Sequence, residues 1–430
     1  MGFEVAYTGR RVFEITYAGQ KMRVAIPERN LDAVMTIKSQ PALPNLKQAV
    51  RDAVEEPVGG PKLSELAKPG VKVCLMTIDR VPGAIKQMNR AVLDVLNDLG
   101  VENRDIKLLY AAGTHLGRKP PPIGDDRVGS GVTGQVKVVP HNAYAASGWS
   151  YRGVTSRGTP VWVNEHVAKA DLRVGIGEVA PHWIAGFMGG SKVILPGVSA
   201  WDTIWRNHMM ALTPEPLMGK TEGNPLREDM SDAARLAGLD MKIDCLINER
   251  QDVVRVMAGD FVKEWKAIIP YSKEIWCPKI PGPLDILVYS PGAGREMSLR
   301  SALYPSVIAA ELATKRDGII IPLASCDAHR RMPDPIGDLK YPTEELARQL
   351  LHRETHDPLV YALRRSLEHR RVYAVAEALS EEDARKASIA YVASTLDEAL
   401  RKAFDELGTD ARVGMLLQEG QIMRHMPVVQ

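Results

Sequence analysis

From about residue 71 the chain alternates short apolar runs with amphipathic stretches. VKVCLMTI (71–78) is a β-rich run, and after Pro82 and Gly83 the residues Ile85, Met88, Val92, Val95 and Leu96 recur at helical spacing. That periodicity predicts a helix over 84–99. IKLLYAAGT (106–114) is the next strand and ends in the loop GTHLGRKPPP; VKVVP (136–140) and VWVN (161–164) are short strands and ADLRVGIGEV (170–179) a longer one. Continuous apolar strands separated by helices predict a mostly parallel sheet covered on both faces. PKIPGPL (278–284) breaks the pattern as a linker, and a second series follows. Its strands are DILVYS, GIIIPLAS, RVYAVAEA, SIAYVAS and ARVGMLL, and SLRSALYPSVIAAELATKR and TLDEALRKAFDEL are two of its helices. The N-terminus, MGFEVAYTGRRVFEITYAG, alternates like a β-hairpin.

The pattern predicts two α/β domains with mostly parallel sheets. The first covers 1–277 and the second 285–410, with the last strand, in 411–430, free to return to the first domain. Small ligands of such proteins bind outside the carboxyl ends of the strands, which places the expected site in the cleft between the domains. His115 and the segment 181–208 both follow predicted strands.

Composition narrows the function classes. The chain has 430 residues, 45% hydrophobic and 25% charged, with a net charge of +2. Basic and acidic residues are interspersed, which argues against nucleic acid or an anionic membrane as partner. No run reaches the length of a membrane span and no apolar signal core opens the chain, so the expectation is a cytoplasmic protein. Cys74, Cys245, Cys277 and Cys326 lie far apart without CxxC spacing, as expected of structural thiols. An oligomer is left open.

The densest chemistry lies in PHWIAGFMGGSKVILPGVSAWDTIWRNH (181–208). It combines His182, a glycine turn at Gly189 and Gly190, Lys192 and His208. Glycine lets backbone approach closely, lysine offers an amine for a covalent link, and imidazole ligates metals or moves protons. GIGEVA (175–180) matches a relaxed dinucleotide fingerprint, but Pro181 follows where a helix should open. GFMGGSK (186–192) lacks the glycine before the lysine and the Ser or Thr after it that a phosphate loop needs. His352 and His356 have metal-ligand spacing in a crowded polar segment and read as a solvated helix face. His141, His166, His329, His369 and His425 have no motif around them and read as structural. With His115, the cluster fits two chemistries, a three-histidine zinc site or a pair of acid–base histidines on opposite faces of a substrate.

These residues resemble the nickel-dependent lactate racemases and their 2-hydroxyacid racemase and epimerase relatives. The resemblance is densest in GTHLGRKP (113–120), TSRGTPVWVN (155–164), ADLRVGIGEVAPHWIAGFMGGSKVILPG (170–197) and TIWRNH (203–208). It implies a nickel pincer nucleotide, a sulfur-bearing pyridinium mononucleotide that holds nickel, covalently linked through Lys192. His208 matches the nickel ligand, and His115 and His182 match the acid–base pair. The nucleotide's phosphate is expected at the backbone of Gly189, Gly190 and Ser191. Partners implied are a small 2-hydroxy acid and the cofactor-maturation enzymes. In the second domain the pattern departs: PGAGREMSLRSALY carries Ser301 and Tyr304 where lactate racemases carry a glutamine and a lysine. TIDRVPG likewise replaces an Asp-x-Thr-Arg-Pro-like segment. Arg80, Arg295 and Tyr304 are the expected substrate contacts, an arginine offering a bidentate fork to the carboxylate. The implied reaction is inversion at C2 of a 2-hydroxy acid other than lactate, through hydride transfer. The competing readings are a nicotinamide-dependent hydroxyacid dehydrogenase built on GIGEVA and a non-catalytic carrier of the pincer cofactor.

Overall fold

A computed structural model describes residues 8–79, 82–292, 296–303, 306–327, 339–353, 358–417 and 426–429. The chain divides into two compact units. One contains Met1–Lys38, Leu212–Met218 and Trp276–Gln430; the other contains Ser39–Ala211 and Gly219–Ile275. Both are α/β, as the apolar alternation predicts.

The unit built on Ser39–Ala211 and Gly219–Ile275 centres on a six-stranded sheet. Its order is Val253–Gly259, Met241–Ile247, Leu172–Glu178, Val73–Ile78, Ile106–Ala111 and Lys137–Pro140. All neighbours are parallel except the edge strand Val253–Gly259, which runs antiparallel to Met241–Ile247. Val73, Leu75, Val174, Ile176 and Ile243 are fully or almost fully buried, as expected of strands covered on both faces. The predicted helix forms as Pro82–Asp98, and Ile85, Met88, Val92, Val95 and Leu96 are its buried stripe. The sequence run VWVN does not join this sheet. Pro160–Asn164 pairs antiparallel with Trp149–Val154 as a separate hairpin.

The other unit has a six-stranded, all-parallel sheet ordered Tyr391–Ala393, Arg371–Val375, Thr314–Pro322, Leu284–Ser290, Val413–Leu417 and Leu31–Met35. An N-terminal hairpin pairs Arg10–Tyr17 with Gln20–Pro27, so only its first strand lies in the stretch 1–19 that alternates like a hairpin. Its inward residues Phe13, Ile15, Val24 and Ile26 join Ile286, Val288, Ile321, Met415 and Leu400 in one core.

Two boundaries differ from the sequence reading. Residues 1–38 belong with the C-terminal half, because Leu31–Met35 pairs with Val413–Leu417 (Met415 opposite Val34). For the same reason the last strand, in 411–430, does not return to the first domain. The break 278–284 is also structured: Lys279–Ile280 pairs with Val428–Val429, and the unit boundary falls at residue 276. Among the described residues no helix is long and apolar enough to cross a membrane.

Candidate active site

Three neighbouring parallel strands deliver the site residues from their carboxyl ends, where open α/β sheets bind ligands. Asp79 follows Val73–Ile78, His115 follows Ile106–Ala111, and the segment holding His182 and Lys192 follows Leu172–Glu178. All belong to one unit.

His115 Nδ1 lies 2.7 Å from Asp79 Oδ2, with the imidazole 47% exposed and the carboxylate 13%. A carboxylate accepts only, so Nδ1 carries the proton and a neutral ring keeps its lone pair on Nε2. His182 has the opposite arrangement. Pro181–His182 and Gly186–Phe187 form a tight antiparallel turn. Within it Nδ1 of His182 accepts the amides of Ile184 (3.3 Å) and Ala185 (3.2 Å). With Nδ1 accepting, the ring proton of a neutral His182 sits on Nε2; Lys192 Nζ lies 3.3 Å from that atom and can face an N–H only as an uncharged nitrogen, since an ammonium donates. Lys192 stands in the 3-10 turn Gly190–Val193.

His208 ends the helix Trp201–His208. Burial, and after it the nearby charge of Lys192, pushes its pKa down to about 3, so the imidazole is neutral. Its buried Nδ1 has no partner of hydrogen-bond geometry among the described residues. A neutral, desolvated imidazole next to a lysine is the donor set that a metal-bearing cofactor linked through an amine would use. Among the described residues no group of three His, Cys, Asp or Glu side chains is placed to hold a metal. The residues present fit a cofactor that brings its own sulfur ligands to nickel.

The glycines have a different role from the expected phosphate cradle. Gly190 N donates to Asp244 Oδ2 at 2.7 Å, and a Cβ on Gly189 would come within 2.7 Å of the same oxygen. Gly189, Gly190 and Ser191 are buried in the protein's own packing, so the Gly190 amide is not available to a phosphate. GIGEVA likewise opens no helix. Gly175 and Gly177 lie in mid-strand, where a Cβ would meet Lys242, Val193 and Asp244. Both glycines serve close packing within the strand rather than the strand-to-helix turn of a dinucleotide fingerprint, so the dehydrogenase reading loses the motif it was built on.

Sequence reasoning missed the residues that hold this turn. Arg227, 3% exposed, donates Nε to Ala185 O (3.1 Å), Nη1 to Gly189 O (3.0 Å) and Nη2 to Phe187 O. Its guanidinium stacks 4.2 Å from the Trp265 ring, whose Nε1 donates to Met188 O at 2.8 Å. Lys242 pairs with Asp244, both fully buried. The signal was present in MKIDCLI (241–247), where two charges interrupt an apolar strand.

Glu264 is fully buried beside this pair, and burial, then Asp244, raises its pKa well above the usual carboxylate range. The folded state therefore holds a proton that the unfolded chain releases near its ordinary pKa, and stability falls as pH rises above that value. Glu264→Gln removes the cost. Its melting temperature is expected to rise relative to wild type at pH 8 and to match it near pH 4; an equal offset at both pH values would refute the assignment.

Arg80, Arg295 and Tyr304 lie outside the described residues, as do His329, His356 and His425. Ser301 falls in the helix Leu299–Leu303. His352 caps the C-terminus of Thr343–Leu351. His141 is buried and its ring meets the Ser199 carbonyl at 3.0 Å, as expected of a structural histidine.

Residues 17–219 match the family model described as the lactate racemase N-terminal domain. The lactate racemase of Thermoanaerobacterium thermosaccharolyticum is 28% identical over 74% of this chain and 75% of its own length. That of Lactiplantibacillus plantarum is 27% identical over 86% of this chain and 89% of its own. In structure, the chain resembles the lactate racemase apoprotein of T. thermosaccharolyticum, with a TM-score of 0.81 over 98% of this chain, all of that chain and 23% identity. A Thermotoga maritima protein superimposes with a TM-score of 0.63 over 91% of this chain, all of that chain and 16% identity. These matches make the chain similar to the lactate racemases, in sequence over most of its length and in fold over nearly all of it.

Proposed function

We propose that this protein is a racemase or epimerase that inverts C2 of a 2-hydroxy acid, with His115 and His182 as its acid–base pair. The observation that carries the reading is the opposite anchoring of the two imidazoles: His115 donates through Nδ1 to Asp79, which leaves a lone pair at Nε2, and His182 accepts two amides at Nδ1, which leaves a proton at Nε2 once Lys192 carries no charge. Inversion needs a base on one face of the substrate and an acid on the other, and the two exchange roles with the hand of the substrate. The match to the lactate racemase N-terminal domain model and the similarity to the curated lactate racemases support the reaction class.

Lys192 would hold the nickel pincer nucleotide covalently and His208 would give nickel its protein ligand. When bound, that cofactor supplies the hydride acceptor that a weakly acidic C2–H requires. His115 takes the substrate hydroxyl proton at Nε2, and Asp79 stabilises the imidazolium that results. His182 returns a proton through Nε2, while the amides of Ile184 and Ala185 keep its ring in one orientation. The departures in PGAGREMSLRSALY support a substrate other than lactate.

The test is intact mass and nickel content of protein co-produced with the cofactor-maturation enzymes, followed by racemisation of a hydroxyacid panel in heavy water. Expected are an adduct on Lys192, about one nickel per chain and inversion without deuterium at C2, since hydride returns to the carbon it left. Deuterium at C2 would replace hydride transfer with proton abstraction. An adduct with no inversion of any hydroxy acid would make the protein a carrier, and an unmodified, nickel-free chain would overturn the reading.

A further inference from the structure

The helix Pro225–Ala237 takes no part in the chemistry above. Its first two turns are nevertheless bonded to each of the segments that carry His182, Lys192 and His208. Asn224, its N-cap, donates Nδ2 to Ile184 O at 2.9 Å, two residues beyond His182. Arg227 holds three carbonyls of the turn leading to Lys192. Ser231 Oγ lies 3.4 Å from Ser191 Oγ, the neighbour of Lys192. Asp229 Oδ2 accepts from Asn207 Nδ2 at 2.8 Å, one residue before His208, and Asn207 also bonds Leu226 O at 3.0 Å.

Asp229 is held in turn by the motif TSRGTP, which the proposed chemistry leaves unused. Thr159 Oγ1 donates to its Oδ2 at 2.9 Å and Thr155 Oγ1 donates to its Oδ1. Asn207, Asn224 and Asp229 are fully buried, so water does not satisfy these groups. The acceptor-only carboxylate has three donors converging on it from two segments. In the turn of residues 185–190 side chains take the carbonyls of Ala185, Phe187, Met188 and Gly189, and the amide of Gly190. Such a turn has its geometry imposed from outside.

We propose that the helix Pro225–Ala237 is a template for the site, with Arg227 and Asp229 as positioning residues. Arg227 sets the turn of Lys192 and Asp229 sets the helix of His208, so anchor and ligand stand in register before any cofactor arrives. The roles given to Lys192 and His208 rest on the functional reading above; the template itself is a property of the apoprotein. Placement to within a fraction of an ångström by a rigid surrounding shell is what a preorganised metal or catalytic site needs.

The test compares Arg227→Lys and Asp229→Asn with wild type by amide hydrogen exchange of the apoprotein, in windows 185–192 and 202–210. Loss of a buried bond to a charged group predicts exchange faster by about tenfold or more in the bonded window. Arg227→Lys should open 185–192 alone and Asp229→Asn should open 202–210 alone. Thr159→Val, which removes one donor from Asp229 at nearly constant volume, should reproduce the Asp229 pattern more weakly and serves if Asp229→Asn does not fold. In loaded protein each variant should shift the sulfur-to-nickel absorption bands and lower turnover per bound nickel, readouts that general destabilisation leaves in place. Exchange unchanged in both windows, or raised uniformly through the unit, would overturn the template. Selective opening in variants of a protein that never acquires nickel would keep the template and overturn the cofactor reading.

Discussion

Replacing His182 with alanine is expected to abolish racemisation, by about 10²–10⁴-fold, while nickel content stays at the wild-type level. The ring accepts two backbone amides through Nδ1 and presents its proton at Nε2. Alanine removes the acid on one face and leaves Lys192 and His208 in place. His115→Ala should cost as much, because each hand of substrate needs both imidazoles, one as acid and one as base. The loss should be the same from either enantiomer. Initial rates from both, normalised to bound nickel, decide the matter; turnover within a few-fold of wild type in either variant would remove that histidine from the chemistry.

The largest effect on stability is expected at Gly186. Its φ is +73°, and a Cβ there would overlap the backbone carbonyl oxygen of Lys220, a neighbour that no rotamer change can move aside. The left-handed conformation alone costs roughly 1–2 kcal/mol for alanine. Adding a backbone collision should bring Gly186→Ala to about 3 kcal/mol or more, among the severe single substitutions. Gly117→Ala is the control: φ there is +68° and no heavy atom lies within 4 Å of the added carbon, so only the conformational cost remains. Calorimetric melting of the two variants separates collision from conformation, and equal losses would discard the packing argument.

Local pattern carried much of this molecule. The spacing of Ile85, Met88, Val92, Val95 and Leu96 gave the helix Pro82–Asp98 to within two residues, because a buried helical stripe writes its period into the chain. Continuous apolar runs gave the parallel strands for the same reason. His115 and the 181–192 segment were legible as strand-end residues, and the structure finds them leaving the two strands that flank Val73–Ile78. Long-range pairing was not legible. The alternation over 1–19 reads as a hairpin, but the strands that pair are Arg10–Tyr17 and Gln20–Pro27, and the register of Leu31–Met35 on Val413–Leu417 shows which unit they join. The glycine turn misled for a related reason. Close approach to a ligand and close approach to Asp244 or Trp265 require the same residue, and sequence spacing does not distinguish them. Arg227 and Asp229 were hidden because a charged residue on an amphipathic helix ordinarily faces water.

The pairing of Leu31–Met35 with Val413–Leu417 bears on how the protein is made. The first 38 residues leave the ribosome before the strands that complete their sheet have been translated, and a whole second unit is synthesised in between. At roughly 5–20 residues per second, Leu31–Met35 then waits on the order of ten seconds after Ile275 for Val413–Leu417 to emerge. Until Leu284–Ser290 and Thr314–Pro322 follow, the hairpin's apolar face, with Phe13, Ile15, Val24 and Ile26, lacks Ile286, Val288 and Ile321, and Met415 arrives later still. Nascent chains stalled short of residue 413 should therefore bind chaperones through residues 10–35, while the intervening unit already resists protease.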